Sequence, residues 1–219
     1  MYTKGIRKIL VISPHISDAV MGCGGSICKW VKEGVEVHVL SLGPESEVDW
    51  NNEVEAGKLL GFIPVDLVNR FKVGAYEYSY AFDIIKSWIK CVRPNVVITV
   101  SSKEVQNDHL VTHSATRDAV YYAVREVYWE TKESYRCELW VTDCIESFSF
   151  VRADHYESLA LEDVVEKMKA MKIYDYTPDD GKGPNFDVVH DRNWVVLLAN
   201  LRGLWVGCKY AEVFQKEEL

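Results

Sequence analysis

Over its first 145 residues the chain alternates short apolar runs with stretches of helical periodicity, the pattern of βαβ units and a mostly parallel sheet. Lys8–Ser13 (KILVIS) is almost continuously apolar, as a strand covered on both faces must be. After Asp18, apolar side chains recur at Val20, Ile27, Trp30 and Val31, which predicts a helix ending at Gly34. Val35–Leu42 reads as a second strand, Glu47–Leu60 as a helix and Val65–Val68 as a short strand. Ile84, Ile85, Trp88, Ile89 and Val92 share one helical face that stops at Arg93-Pro94, because a residue before proline is pushed out of helical geometry. Asn95–Val100 is another buried strand, Val111–Val127 a helix and Glu138–Cys144 a strand.

The last third reads differently. Leu161, Val164, Val165, Met168 and Met171 mark an amphipathic helix. Thr177–Asn185 (TPDDGKGPN) has the composition of a surface loop, and Trp194–Trp205 is a further apolar, helical segment. The expected fold is α/β, a Rossmann-like three-layer domain with a mostly parallel sheet, with residues 1–219 forming one domain.

Composition narrows the function classes. With 25 basic and 33 acidic residues the net charge is −8, which argues against a general electrostatic grip on nucleic acid. No apolar run approaches the ~18 residues of a membrane span, and the opening residues lack a signal-peptide pattern. The six cysteines show no C-x-x-C pair and read as reduced, mostly buried thiols of a cytoplasmic protein.

Two segments carry candidate chemistry, each just beyond the carboxyl end of a predicted strand, where open parallel sheets collect ligands. In Ser13-Pro14-His15-Ile16-Ser17-Asp18, His15 and Asp18 are three residues apart across a turn, within reach of one metal. Taken alone, Asp18 reads equally well as a helix cap and His15 as a turn residue. Gly22, Gly24 and Gly25 do not form a dinucleotide fingerprint and suit close packing of helix on sheet. In the second segment, Asn107-Asp108-His109-Leu110-Val111-Thr112-His113, the two histidines are four apart and share a face if the helix begins early. His15, Asp18 and His113 compose a His₂Asp set, and three protein ligands with an open position are typical of catalytic zinc.

These residues, with others along the chain, resemble the PIG-L/LmbE-like family of zinc-dependent N-deacetylases. That family opens with a strand, then Pro/Ala-His-x-Asp-Asp and a Gly-rich turn, where this chain has Pro14-His15-Ile16-Ser17-Asp18 and Gly22-Cys23-Gly24-Gly25. Thr112–Val120 is similar to the second half of the family's His-x-x-His region, and Lys167 and Ala170 to its Lys-x-x-Ala. Arg202-Gly203, Gly207 and Tyr210-Ala211-Glu212-Val213-Phe214 match its carboxyl-terminal signature. The resemblance implies hydrolysis of an N-acetyl, or related acyl, group on a small amino-sugar substrate. It implies zinc, or a similar divalent ion, held by His15, Asp18 and His113, with His109 as acid or oxyanion partner. The family's general base is the first Asp of the pair, and here that position is Ser17.

Three explanations fit Ser17: a deliberate base-removing substitution, another carboxylate such as Asp108 or Glu104 in its place, or a silenced member that binds a sugar or metabolite without hydrolysing it. Arg70 is a candidate contact for a sugar hydroxyl or phosphate, and Tyr76, Tyr78 and Tyr80 for a stacking rim. His38 reads as a satisfied core histidine, and His155 and His190 as surface or loop residues. A homo-oligomer is compatible with the sequence.

Overall fold

The computed structural model describes residues 5–43, 46–67, 77–143, 154–174 and 192–219. In chain order these form β1 (Lys8–Ser13), α1 (Asp18–Lys32), β2 (Glu36–Ser41), α2 (Glu47–Leu60), β3 (Ile63–Pro64), α3 (Tyr78–Val92), β4 (Val96–Val100), α4 (Asn107–Thr131), β5 (Glu138–Thr142), β6 (His155–Ser158), α5 (Leu161–Ile173), α6 (Arg192–Val206) and β7 (Ala211–Glu217). The strands make one mixed sheet in the order β3-β2-β1-β4-β5-β7-β6. The ladders from β3 through β5 are parallel, and β7 runs antiparallel to both its neighbours.

The apolar runs are long because both faces of the sheet are covered. Successive strand residues point to opposite faces, so Ile9 and Val11 of β1 pack with α1, α2 and α5, while Leu10 and Ile12 pack with α3 and α4. The chain leaves β1 towards β2 on one side and later returns to β4 on the other. The carboxyl ends of β1 and β4 therefore flank a crevice where the strand order reverses, as the expected fold requires.

Several elements differ from the expectation. The short strand pairs with β2 at Ile63 and Pro64 rather than over Val65–Val68; Val65 and Leu67 are buried beyond it. Helix α4 begins at Asn107, four residues before the apolar periodicity does. β6 and β7 add two strands to those the sequence pattern predicts, and they bury His155, expected as a surface or loop residue, against Trp140 at a ring separation of 4.3 Å, with its Nε2 3.1 Å from Glu157. His38 is half-buried and bonded to Glu36. Of the described cysteines, all free, Cys23 and Cys28 are buried, but Cys91 is exposed and Cys137 and Cys208 are half-buried. The Thr177–Asn185 segment, His190 and Cys144 lie outside the described residues.

Helix α1 is broken at Cys23 (φ −143°, ψ 24°), and a buried ion pair splices it. Lys167 of α5 donates to the freed Met21 carbonyl (2.6 Å) and to Glu212 Oε1 (2.6 Å). Glu212 of β7 accepts from the backbone N–H groups of Gly25 (3.1 Å) and Ser26 (2.6 Å), which begin the second half of the helix. A Cβ on Gly25 would stand 2.6 Å from the Leu159 side chain and 3.3 Å from the Glu212 carboxylate, so any larger residue there would have to displace Leu159. Gly22 likewise admits Thr142 of β5, whose Cγ2 would be 2.9 Å from a Cβ there.

Glu212→Ala leaves the Lys167 ammonium buried and two N–H groups without their acceptor. The expected loss is about 3–5 kcal/mol of unfolding free energy, measurable by urea denaturation. A loss below ~1 kcal/mol would show that water replaces the carboxylate.

Candidate metal centre

The turn between β1 and α1 presents two candidate ligands by local geometry alone. Asp18 Oδ2 accepts the backbone N–H of His15 (2.9 Å), which closes the turn and brings the carboxylate to 3.2 Å from His15 Nδ1. Ser17, half-buried at the N-cap of α1, makes no side-chain capping bond. Across the crevice, a tight turn after β4 (Glu104 N–H to Ser101 O, 3.2 Å) feeds α4, whose first turn carries Asp108 and His109.

The early start of α4 decides which histidine reaches the site. His109 Nε2 lies 3.6 Å from Asp18 Oδ2, and its ring centroid is 5.3 Å from that of His15. Ligand atoms of His15, Asp18 and His109 all fall within 4.8 Å of one another. His113, expected as the third ligand, lies one helical turn further on and is turned elsewhere, with Nε2 2.9 Å from Glu217 Oε1 of β7. The physical reason is the register: a helix starting at Asn107 sets His109 at the mouth of the crevice and His113 some 6 Å further along the axis.

Asp108, expected as a stand-in base, is not open to a substrate. It is 2% exposed; its Oδ2 is 2.6 Å from His15 Nε2 and its Oδ1 accepts the backbone N–H of His109 (3.0 Å). Glu104, the other alternative, is 4% exposed with Oε2 3.5 Å from His109 Nδ1. Arg70 and Tyr76 lie outside the described residues. Tyr78 hydrogen-bonds Asp118, away from these groups.

Burial alone would lower the pKa of His15, but Asp18 and Asp108 outweigh it and lift the imidazole to about 9. For His109, burial again opposes charge, and Glu104 and Asp18 together raise it. Three buried carboxylates demand positive charge, which two imidazolium rings or one divalent cation with neutral imidazoles can supply.

The donor set fits such a cation. Zinc bonds of ~2.0–2.2 Å in tetrahedral geometry place neighbouring ligand atoms about 3.3 Å apart. The distances from Asp18 Oδ2 to His15 Nδ1 and to His109 Nε2, 3.2 and 3.6 Å, are of that size. His109 Nε2, buried without a hydrogen bond and facing Asp18, has its lone pair free for such an ion.

Sequence reasoning missed Glu53, 1% exposed on α2 behind the site. It accepts from Ser41 Oγ (2.9 Å) and Tyr174 OH (2.7 Å), and Ser41 Oγ lies 3.0 Å from Ser13 Oγ at the end of β1. Burial pushes its carboxyl up to about 8 against these hydrogen bonds, with the Asp18 charge adding to the rise. A glutamate in a mostly polar helix gives no local signal of burial.

The family model described as PIG-L, GlcNAc-PI de-N-acetylase, matches residues 10–120, which contain both segments. A 1D-myo-inositol 2-acetamido-2-deoxy-alpha-D-glucopyranoside deacetylase from Rhodococcus erythropolis is 27% identical over 172 residues, covering 60% of this chain. The chain spans 58% of that relative's length. Among solved structures, N,N'-diacetylchitobiose deacetylase from Pyrococcus horikoshii superposes with a TM-score of 0.72 at 18% identity, over 98% of this chain and 85% of its own. The 4-carboxy-2-hydroxymuconate hydratase from Pseudomonas putida KT2440 does so at 0.74 and 18%, over 98% and 97%. The likeness to these two is one of fold.

Proposed function

Because the chain belongs to the PIG-L family of de-N-acetylases, we propose that it hydrolyses the N-acetyl amide of a small amino-sugar substrate at a zinc ion, or similar divalent ion, held by His15, Asp18 and His109. The observation that carries this reading is the His-Asp-His cluster at the crevice between β1 and β4, with Asp18 and His109 buried and His15 half-buried. When bound, the ion supplies Lewis-acid polarisation of the amide carbonyl and acidifies a water. The chain's own residues do the rest. Asp18 and the two imidazoles fix the ion's place, and Asp108 fixes the ring of His15. Ser17, adjacent to Asp18, offers a neutral hydroxyl that orients but does not accept a proton at neutral pH. Residues 1–219 act as one domain in this reading.

The relative's substrate, an N-acetylglucosaminyl inositol by its name, makes N-acetylglucosaminides the first class to try. Among the described residues no helix is long and apolar enough to cross a membrane. A second reading, a sugar-binding member that does not hydrolyse, is favoured by Ser17 and by the engagement of Asp108 and Glu104 with imidazoles. Acetate release from a panel of N-acetylated sugars by the zinc-loaded and chelated forms, beside calorimetric binding, separates them. Zinc-dependent release is expected. Binding without release establishes the second reading, and neither binding nor release across a broad panel rejects both.

A further inference from the structure

Resting on that reading of the metal centre, we infer that Glu104 is a positioning residue: its carboxylate holds the ring of His109 from behind through Nδ1, so that Nε2 is the nitrogen presented to the ion. The distances sort the carboxylates around the two imidazoles into inner and outer sets. Asp18 Oδ2 stands 3.2 Å from His15 Nδ1 and 3.6 Å from His109 Nε2, the separation of two atoms sharing one ion. Asp108 Oδ2 stands 2.6 Å from His15 Nε2, too close for a shared ion and right for a charge-assisted hydrogen bond. Glu104 occupies the corresponding place at His109, on the ring nitrogen opposite to the one that faces Asp18.

Burial makes this placement consequential. The Glu104 side chain is wholly removed from water and that of His109 is 2% exposed, so charge and donor meet in a low-dielectric setting. At 3.5 Å the contact is electrostatic as it stands, and a small rotation of the carboxylate brings it to hydrogen-bond length. A carboxylate on the outer nitrogen fixes the tautomer, stops the ring from turning and strengthens the inner nitrogen as a ligand. One short stretch, Glu104 to His109, thus supplies a ligand and the outer partner of each imidazole. It also accounts for a carboxylate beside the site that faces an imidazole instead of a water.

The test is zinc affinity by chelator competition in the full chain, which needs no turnover. Glu104→Ala is expected to weaken zinc by about 10–100-fold. Glu104→Gln, isosteric and still able to accept from Nδ1, should lose less. A His109→Ala background keeps His15 and Asp18, whose weakened zinc binding is read by direct titration; there the same Glu104→Ala change should cost nothing further, because its route through His109 is gone. Circular dichroism of the metal-free forms checks the fold, and if Glu104→Ala does not fold, Glu104→Gln decides, with unchanged affinity counting against the inference. Wild-type affinity in both Glu104 variants, or an equal loss in the His109→Ala background, overturns the role of Glu104 alone. A wild-type chain that takes up no zinc overturns the metal centre itself, and this inference with it.

Discussion

Ser17→Asp raises acetate release by roughly 10²-fold or more at matched zinc content, the scale of a positioned general base. The backbone at this position already suits the change. Ser17 is the N-cap of α1 and makes no side-chain capping bond, so no existing contact is lost, and aspartate is as good an N-cap residue as serine. Its neighbour Asp18 faces both imidazoles, which puts a carboxylate at residue 17 beside the same centre. The other candidates are spoken for: Asp108 by His15 and the His109 N–H, Glu104 by the far side of His109. Initial rates of the two forms, with metal content measured in each, give the comparison. A fast Ser17 form with no gain from aspartate would mean that a group outside this cluster already takes the proton.

His109→Ala weakens zinc binding so far that the dialysed protein retains little metal, whereas His113→Ala leaves the centre loaded. Removing one of three protein ligands removes one of the bonds that offset dehydration of the ion, and nothing else in the cluster offers a nitrogen in its place. His113 instead ties α4 to β7 through Glu217, whose carboxyl it holds below the usual range by that hydrogen bond. Its loss should cost about 1–3 kcal/mol of stability and no metal. Elemental analysis of both variants after dialysis against zinc is the measurement. A His113→Ala protein without zinc, beside a loaded His109→Ala protein, would restore the assignment made from the motif.

The contrast between these two histidines shows where local pattern stops. Helical periodicity is a record of which side chains face the core. The first turn of α4 (Asn107, Asp108, His109) faces a polar crevice and leaves no apolar trace, so the periodicity starts at Val111 and the motif points to His113, while the structure brings His109 to Asp18. β7 escaped for a related reason. Its burial is complete over Ala211–Phe214, but Glu212 within it is buried by pairing with Lys167 and with the broken helix α1, partners 45 and 187 residues away. Its antiparallel insertion between β5 and β6 is a choice among distant partners. What the sequence by itself determined is the part set by neighbours in the chain: the apolar strands β1, β2, β4 and β5, the helices between them, and the His15–Asp18 turn. The tertiary structure alone decided that His109 joins that turn, that Asp108 and Glu104 stand behind the imidazoles, and that Lys167 and Glu212 splice α1. Those are contacts between charged groups far apart in sequence, strong only once folding has removed the water between them.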